Sequence, residues 1–267
     1  MKEPGQNILV SNLLYSCASA VHRGNEEYVT EHSFGYIVAG EVQFDTGDAM
    51  QVYREGTMGL VRRNQLIRTV KIPPPGGSFR AVNIFFDQTI LREYSAAHQI
   101  TASHYNGSAL TLLPPDALLE GYFKSLLPYF EIPGKLTPSL VKLKTYEAIE
   151  LLLQRDERWK DFLFDFSEPH KIDLERFMLR HYKFNVPNSQ FARLTGRSLT
   201  AFKRDFEKIF HTSPERWLQK RRLQEAYYLL KERGQKPSDV YIETGFKNLS
   251  HFSTAFKKVY GITPSML

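Results

Sequence analysis

Between Asn7 and about Asp87, apolar residues arrive in short runs broken by turn formers, without the three- and four-residue recurrence of a buried helix face. This pattern predicts an antiparallel β region. Ser33 to Phe44 reads as two strands about Ala39-Gly40-Glu41, where glycine supplies the positive φ of a tight hairpin. Further strands are predicted at Ile8–Ser16, Met58–Val61, Ile67–Ile72 and Arg80–Phe86. Pro73-Pro74-Pro75-Gly76-Gly77 has to be a loop, because proline has no amide for a ladder and glycine resists ordering.

The period changes at about Asp116, where leucines and aromatics begin to recur at helical spacing. One helix is predicted over Asp116–Phe130. A second opens at Thr137 or Pro138 and runs to about Arg155, with Leu140, Leu143, Ile149, Leu152 and Leu153 as its apolar stripe. Such a stripe either packs on the β region or pairs with its copy in a homodimer. Phe166 to His170, containing Glu168-Pro169, reads as a linker. The expected organisation is α+β in two domains: β over 1–115, a helical linker or dimerisation segment over 116–166, and an all-α domain over 167–267.

The last part of the chain repeats itself. Phe202, Phe206, Phe210 and Pro214 are matched by Phe252, Phe256, Tyr260 and Pro264 at a constant offset of 50. Thr195-Gly196 precedes the first copy and Thr244-Gly245 the second, offset by 49, and glycine there suits a sharp turn between two helices. Helical periodicity puts Phe202, Phe206 and Ile209 on one side, leaving Thr200, Lys203, Arg204 and Glu207 on the other. The equivalent face of the second copy carries Ser250, Ser253, Thr254 and Lys257, with His251 beside it. Ser198 and Asn248 are candidate N-caps, so the free amides and positive dipole end behind each are available to phosphates. Between the copies, Pro214–Lys231 predicts a helix of roughly 27 Å, a spacer suited to the ~34 Å between successive major grooves.

Charge supports a polyanionic partner for this part. From His170 to Leu267 there are 19 Lys and Arg against 9 Asp and Glu, a net +10, whereas the remainder has 16 against 20, a net −4. Cations set near phosphates gain Coulomb energy and release condensed counterions. The single cysteine, Cys17, has no internal disulfide partner, and neither a secretion signal nor a membrane-length apolar stretch stands out, so a cytoplasmic protein without membrane association is expected.

The residues Phe191-Ala192-Arg193-Leu194-Thr195-Gly196-Arg197-Ser198, Phe202-Lys203-Arg204-Asp205-Phe206, Ser213-Pro214, Arg222-Leu223, Ala226 and Leu230 keep both order and spacing with a known pattern. So do Gly245-Phe246, Ser250, Phe252, Ser253, Phe256-Lys257-Lys258 and Gly261-Ile262-Thr263-Pro264. Together they resemble the AraC/XylS family of bacterial regulators. The resemblance implies a seven-helix domain with double helix-turn-helix architecture that sets two recognition helices into adjacent major grooves of double-stranded promoter DNA. It implies that Thr200, Lys203 and Arg204 approach bases from the first helix, and Ser250, His251, Ser253 and Thr254 from the second. It also implies activation through RNA polymerase. One departure is His211, which stands where the second copy has Gly261 and must end its helix with strain or a different turn. The chain also stops soon after Pro264, which shortens the expected final helix.

The β region is similar to the cupin-like sensor barrels of that family, whose interior holds a small effector, although some relatives answer to a partner protein instead. No metal or other cofactor is expected: His22, Glu31 and His32 are poorly spaced as ligands and no His-x-His pair occurs. That argues against a cupin-type enzyme, and two unlike reading faces argue against a sequence-blind architectural protein. Arg62, Arg63 and Arg68 would suit an anionic effector if they pointed inward; exposed strand-face positions are the expectation.

Overall fold

The structure is a computed structural model and describes residues 7–24, 27–132 and 134–267. The chain divides into two compact units, Met1–Ser167 and Glu168–Leu267.

The first unit begins with strands β1 (Ile8–Val10), β2 (Leu13–Ala18), β3 (His22–Arg23), β4 (Tyr28–Val29), β5 (His32–Ala39) and β6 (Glu41–Asp45). It continues with β7 (Met50–Arg54), β8 (Met58–Val61), β9 (Gln65–Leu66), β10 (Arg68–Ile72) and β11 (Phe79–Phe86). Helix α1 (Gln88–Ala97) and strand β12 (Leu110–Leu113) lead to helices α2 (Ala117–Glu131), α3 (Pro138–Arg155) and α4 (Arg158–Phe164). Pairing is antiparallel throughout, in sheets ordered β1-β2-β11-β5-β8-β12, β3-β10-β6-β7 and β4-β9. The ladders do not close on themselves among the described residues, so the barrel is an open one.

Several expected elements changed in detail. Ile8–Ser16 is two strands, because the chain turns at Ser11 (φ +54°) and Asn12 hands its amide to the Phe85 carbonyl at 2.7 Å. The predicted hairpin about Gly40 is a corner: β5 pairs with β8 and β11, and β6 with β7 and β10, so Gly40 (φ +86°) passes the chain from one sheet to another. Helix α1 escaped the periodicity because it buries only Leu91 and Tyr94; Asp87 caps it, accepting from the Thr89 and Ile90 amides.

One face of the six-stranded sheet carries Phe34, Tyr36, Leu60, Val82, Ile84 and Phe86 into a core shared with Phe123 and Leu126 of α2, Ile149 and Leu152 of α3, and Trp159 and Phe162 of α4. Phe34 meets Phe123 edge-on with ring centroids 4.6 Å apart. Each such side chain contributes about 1.5–3 kcal/mol on burial, which fixes α2–α4 to the sheet. Ile149 and Leu152 are buried and Leu140 and Leu153 pack against the same core, whereas Leu143 is 64% exposed. The α3 stripe is therefore largely spent inside its own unit.

None of Arg62, Arg63 and Arg68 is exposed as expected: Arg62 and Arg68 are half-buried, and Arg63 departs furthest. It is 6% exposed and donates to the carbonyls of Asp165 and Ser167, at 3.1 and 2.9 Å. Arg62 and His104 reach the Asp165 carboxylate at 3.3 and 2.9 Å, and Arg68 pairs with Asp45 at 3.5 Å. These arginines hold protein groups, and Arg62 and Arg63 tie the end of the unit to the segment just after β8.

The second unit comprises α5 (Leu174–His181), α6 (Asn188–Leu194), α7 (Leu199–Phe210), α8 (Pro214–Lys231), α9 (Pro237–Glu243) and α10 (Leu249–Tyr260). After α10 comes one 3-10 turn at Pro264–Met266. Among the described residues no helix is long and apolar enough to cross a membrane.

Candidate nucleic-acid interface

The repeat in sequence is a repeat in structure. Helices α7 and α10 each have 12 residues and begin and end at equivalent positions. Phe202 and Phe206 are fully buried in the first copy, as are Phe252 and Phe256 in the second. Ahead of each helix a buried threonine fastens the turn: Thr195 Oγ1 donates to the Phe191 carbonyl at 2.8 Å and Thr244 Oγ1 to the Val240 carbonyl at 2.7 Å. Such bonds fit helix ends, where the last carbonyls lack partners.

Both predicted caps form. Ser198 Oγ accepts from the Ala201 amide at 3.2 Å and Asn248 Oδ1 from the His251 amide at 2.8 Å. Burial of the aromatics turns Thr200, Lys203 and Arg204 outward on α7, and Ser250, His251 and Thr254 outward on α10. Ser253 is half-buried at the edge of its face. Ile209 is 38% exposed rather than part of the core; half-buried Phe210, packed on Phe206 at 4.4 Å, completes the apolar side instead.

The two faces differ in electrostatics. Arg204 donates to Asp205 Oδ1 from Nε and Nη2, at 3.3 and 3.2 Å, so its guanidinium is steered while 65% exposed. Asp205 also receives Arg197 at 3.2 Å and lies 3.7 Å from Lys171. The Arg197 hydrogen bond, with Arg204 and Lys171, holds the Asp205 carboxyl below the usual carboxylate range against the opposing pull of desolvation. Asp205 is a positioning residue that periodicity alone did not single out; its signal is a carboxylate directly beside Arg204. Lys203 stands 3.9 Å from Glu215, a loose surface pair. The face of α10 offers hydroxyls and an imidazole instead.

Helix α8 joins the copies. Its Leu223, Ala226, Leu229 and Leu230 enter the core that holds Phe252 and Phe256. Arg222 reaches the other way, donating from Nε to the Tyr182 carbonyl and from Nη2 to the Phe184 carbonyl, both at 2.7 Å. Lys183 pairs with Glu225 at 2.7 Å, and burial is outweighed by Lys183 and Tyr182 so that the Glu225 carboxyl stays below its ordinary value. Side chains of one helix thus grip both copies, and a helix of 18 residues is a stiff spacer of about 27 Å.

A basic all-α unit that presents two capped helices with polar outward faces defines a double helix-turn-helix DNA-binding regulator. The profile described as "Helix-turn-helix domain" matches residues 191–267, and the one described as "ExsA N-terminal regulatory domain" matches residues 32–162. The chain is 35% identical over 254 residues to the virulence regulon transcriptional activator VirF of Yersinia enterocolitica, covering 89% of this chain and 90% of that protein. It is 34% identical over 99 residues to the HTH-type transcriptional regulator ExsA of Pseudomonas aeruginosa, a match spanning 37% of this chain and 36% of that one. Apo ToxT K231A from Vibrio cholerae superposes with a TM-score of 0.47 at 11% identity, over 96% of this chain and 97% of that one. The chain belongs to the AraC family of transcriptional regulators, a family of regulators and not of enzymes.

Proposed function

We propose that the protein reads promoter DNA with both helix-turn-helix copies at once, α7 and α10 entering consecutive major grooves. Thr200, Lys203 and Arg204 meet base edges in one groove, and Ser250, His251, Ser253 and Thr254 in the next. The caps Ser198 and Asn248 bring helix N-termini toward phosphates. The observation that carries this reading is the pair of equivalent capped helices whose outward polar side chains leave their hydrogen-bonding capacity to a partner. With Nε and one Nη2 hydrogen held by Asp205, Arg204 keeps Nη1 and the other Nη2 hydrogen for a guanine edge, where two donors meet N7 and O6.

In this reading the protein activates transcription with RNA polymerase, and an effector acting on the first unit sets its activity. Support comes from the regulatory-domain match over residues 32–162 and from the similarity to VirF, whose name is that of an activator.

Selection of DNA from a random pool by the purified full chain tests the reading. Enrichment of a site with two unlike elements about 10 base pairs apart is expected. Recovery of unenriched sequence would overturn it.

A further inference from the structure

Where α7 ends and α8 begins, the surface opens into a groove of about 510 Å³. Half-buried Phe210 and Trp217, with ring centroids 4.6 Å apart, are among its apolar lining residues. His211, Arg216, Lys220 and Arg221 line it as well, all exposed, and no carboxylate does. Glu215, the nearest acid in sequence, is engaged elsewhere, accepting from Asn188 Nδ2 at 2.6 Å. Arg221 lies over the Tyr182 ring at 5.2 Å and acts electrostatically on Glu225, so Arg216 and Lys220 are the groove's exposed cations furthest from an acid in the contacts described.

Phe210 and Trp217 also pack on Phe206, at 4.4 and 5.6 Å, whereas the exposed cations of the groove have no such part in the core. The offset of 50 that relates the two copies puts Gly261 where His211 stands, Met266 where Arg216 stands and Leu267 where Trp217 stands. His211 even takes a left-handed backbone, φ +53°, for which Gly261 at +76° is the easier occupant. The first copy thus has a histidine and an arginine at this corner where the second has Gly261 and Met266, with an aromatic kept in both at Phe210 and Tyr260.

From this we infer that the α7–α8 corner docks a short acidic segment of a partner protein. Its carboxylates would meet Arg216, Lys220 and Arg221, and one bulky apolar side chain would lie against Phe210 and Trp217. Arginine-rich grooves take acidic motifs through charge-assisted hydrogen bonds, and the aromatic floor adds desolvated contact that a phosphate cannot use. DNA backbone is the less favoured occupant. A recognition helix meets bases with its N-terminal residues, and the groove is at the opposite end of α7, about 18 Å along the axis. That last step rests on the DNA-binding reading above; the composition of the groove does not.

The probe is a fluorescein-labelled twelve-residue peptide of Asp and Glu with a central Phe-Leu, titrated into the full chain and followed by anisotropy. A peptide with Asn and Gln for the acids, and one with Ser-Ser for Phe-Leu, are the controls. Saturable binding is expected, at least tenfold weaker for the amide control and at least fivefold weaker for the Ser-Ser control. The exposed double variant Arg216→Glu/Lys220→Glu, verified as folded by circular dichroism, should bind the acidic peptide at least twentyfold more weakly. It should keep its affinity for selected DNA within twofold and leave the salt dependence unchanged. Absent binding, equal binding by the controls, or equal binding by the double variant overturns the proposal. So does a loss of DNA affinity with a salt slope reduced by about two, which assigns the cations to phosphates. Peptide binding without any sequence-specific DNA binding would leave the groove standing and sink the DNA reading alone.

Discussion

Gly196 and Gly245 fill the same place in the two copies, each turning the chain at positive φ, +63° and +85°, immediately before a presenting helix. At each, another backbone segment comes within a side chain's width. A Cβ on Gly196 would lie 2.3 Å from the His170 carbonyl carbon, and one on Gly245 would lie 2.2 Å from the Lys183 carbonyl oxygen. Both turns are thus closed by chain from elsewhere in the unit. Gly196→Ala and Gly245→Ala combine left-handed strain with backbone overlap, and each should destabilise the second unit by about 2–5 kcal/mol. Urea titration followed by circular dichroism measures this, and a change under about 0.5 kcal/mol would mean the close approach is not real.

Asp165 gathers the end of the first unit. It accepts from Arg62, from the amides of Tyr105 and Ser167 and from the Ser167 hydroxyl, with His104 alongside. Removing one partner of a buried charge pair leaves the other uncompensated. Asp165→Asn is expected to cost about 3 kcal/mol, seen as a lower urea midpoint for the first unit, together with faster cleavage by trypsin near residue 167. Unchanged cleavage would mean that the segment is held by other contacts.

Acid should weaken the same region. His32 is buried against Phe162 at 4.6 Å; burial first, then Arg63 and Arg62, push its pKa down to about 3. As pH falls below the ordinary imidazole value of about 6.5, the unfolded chain takes a proton that the folded one refuses. Stability therefore declines from about pH 6.5 toward the lowered folded value, by up to about 1.4 kcal/mol per pH unit. Asp165 adds to this at lower pH. Burial alone would raise its pKa, but hydrogen bonds from Ser167 and Tyr105 and the nearby His104 bring it below the ordinary value. Its contribution is present above the ordinary carboxylate pKa and is lost as pH falls through the lowered folded one. Denaturant titrations at pH 7, 6 and 5 should show the slope, and His32→Gln should flatten it; an equal slope in the variant would assign it to other groups.

Arg204 is the side chain whose removal should separate specific from general affinity. With Arg204→Ala, binding to a selected site should weaken by about 1–3 kcal/mol, and binding to random DNA by less. Equal losses on both, in a salt series, would place the guanidinium on phosphate.

The sequence was most legible where burial repeats a period. Phe202, Phe206, Phe252 and Phe256 announced two helices and their core side, and Pro214–Lys231 was bounded as found, because proline opens it and its apolar residues keep helical spacing. Short strands were missed for want of length: β3, β4 and β9 have two residues each and carry no alternation. At Gly40 the local pattern reveals a turn but not which sheet each strand joins. Arg63 looked like surface since its partners, the carbonyls of Asp165 and Ser167, are about a hundred residues away. At the candidate interface, caps and outward faces followed from periodicity, while the steering of Arg204 by Asp205 required the rotamers.

The most direct measurement compares DNA selected by the full chain with DNA selected by Arg204→Ala and, separately, by Thr254→Ala. Two helices in successive grooves predict that the first variant relaxes preference only in one half of the site and the second only in the other, about one helical turn away. Relaxation of the same base pairs by both variants, or of neither half by either, would contradict the account.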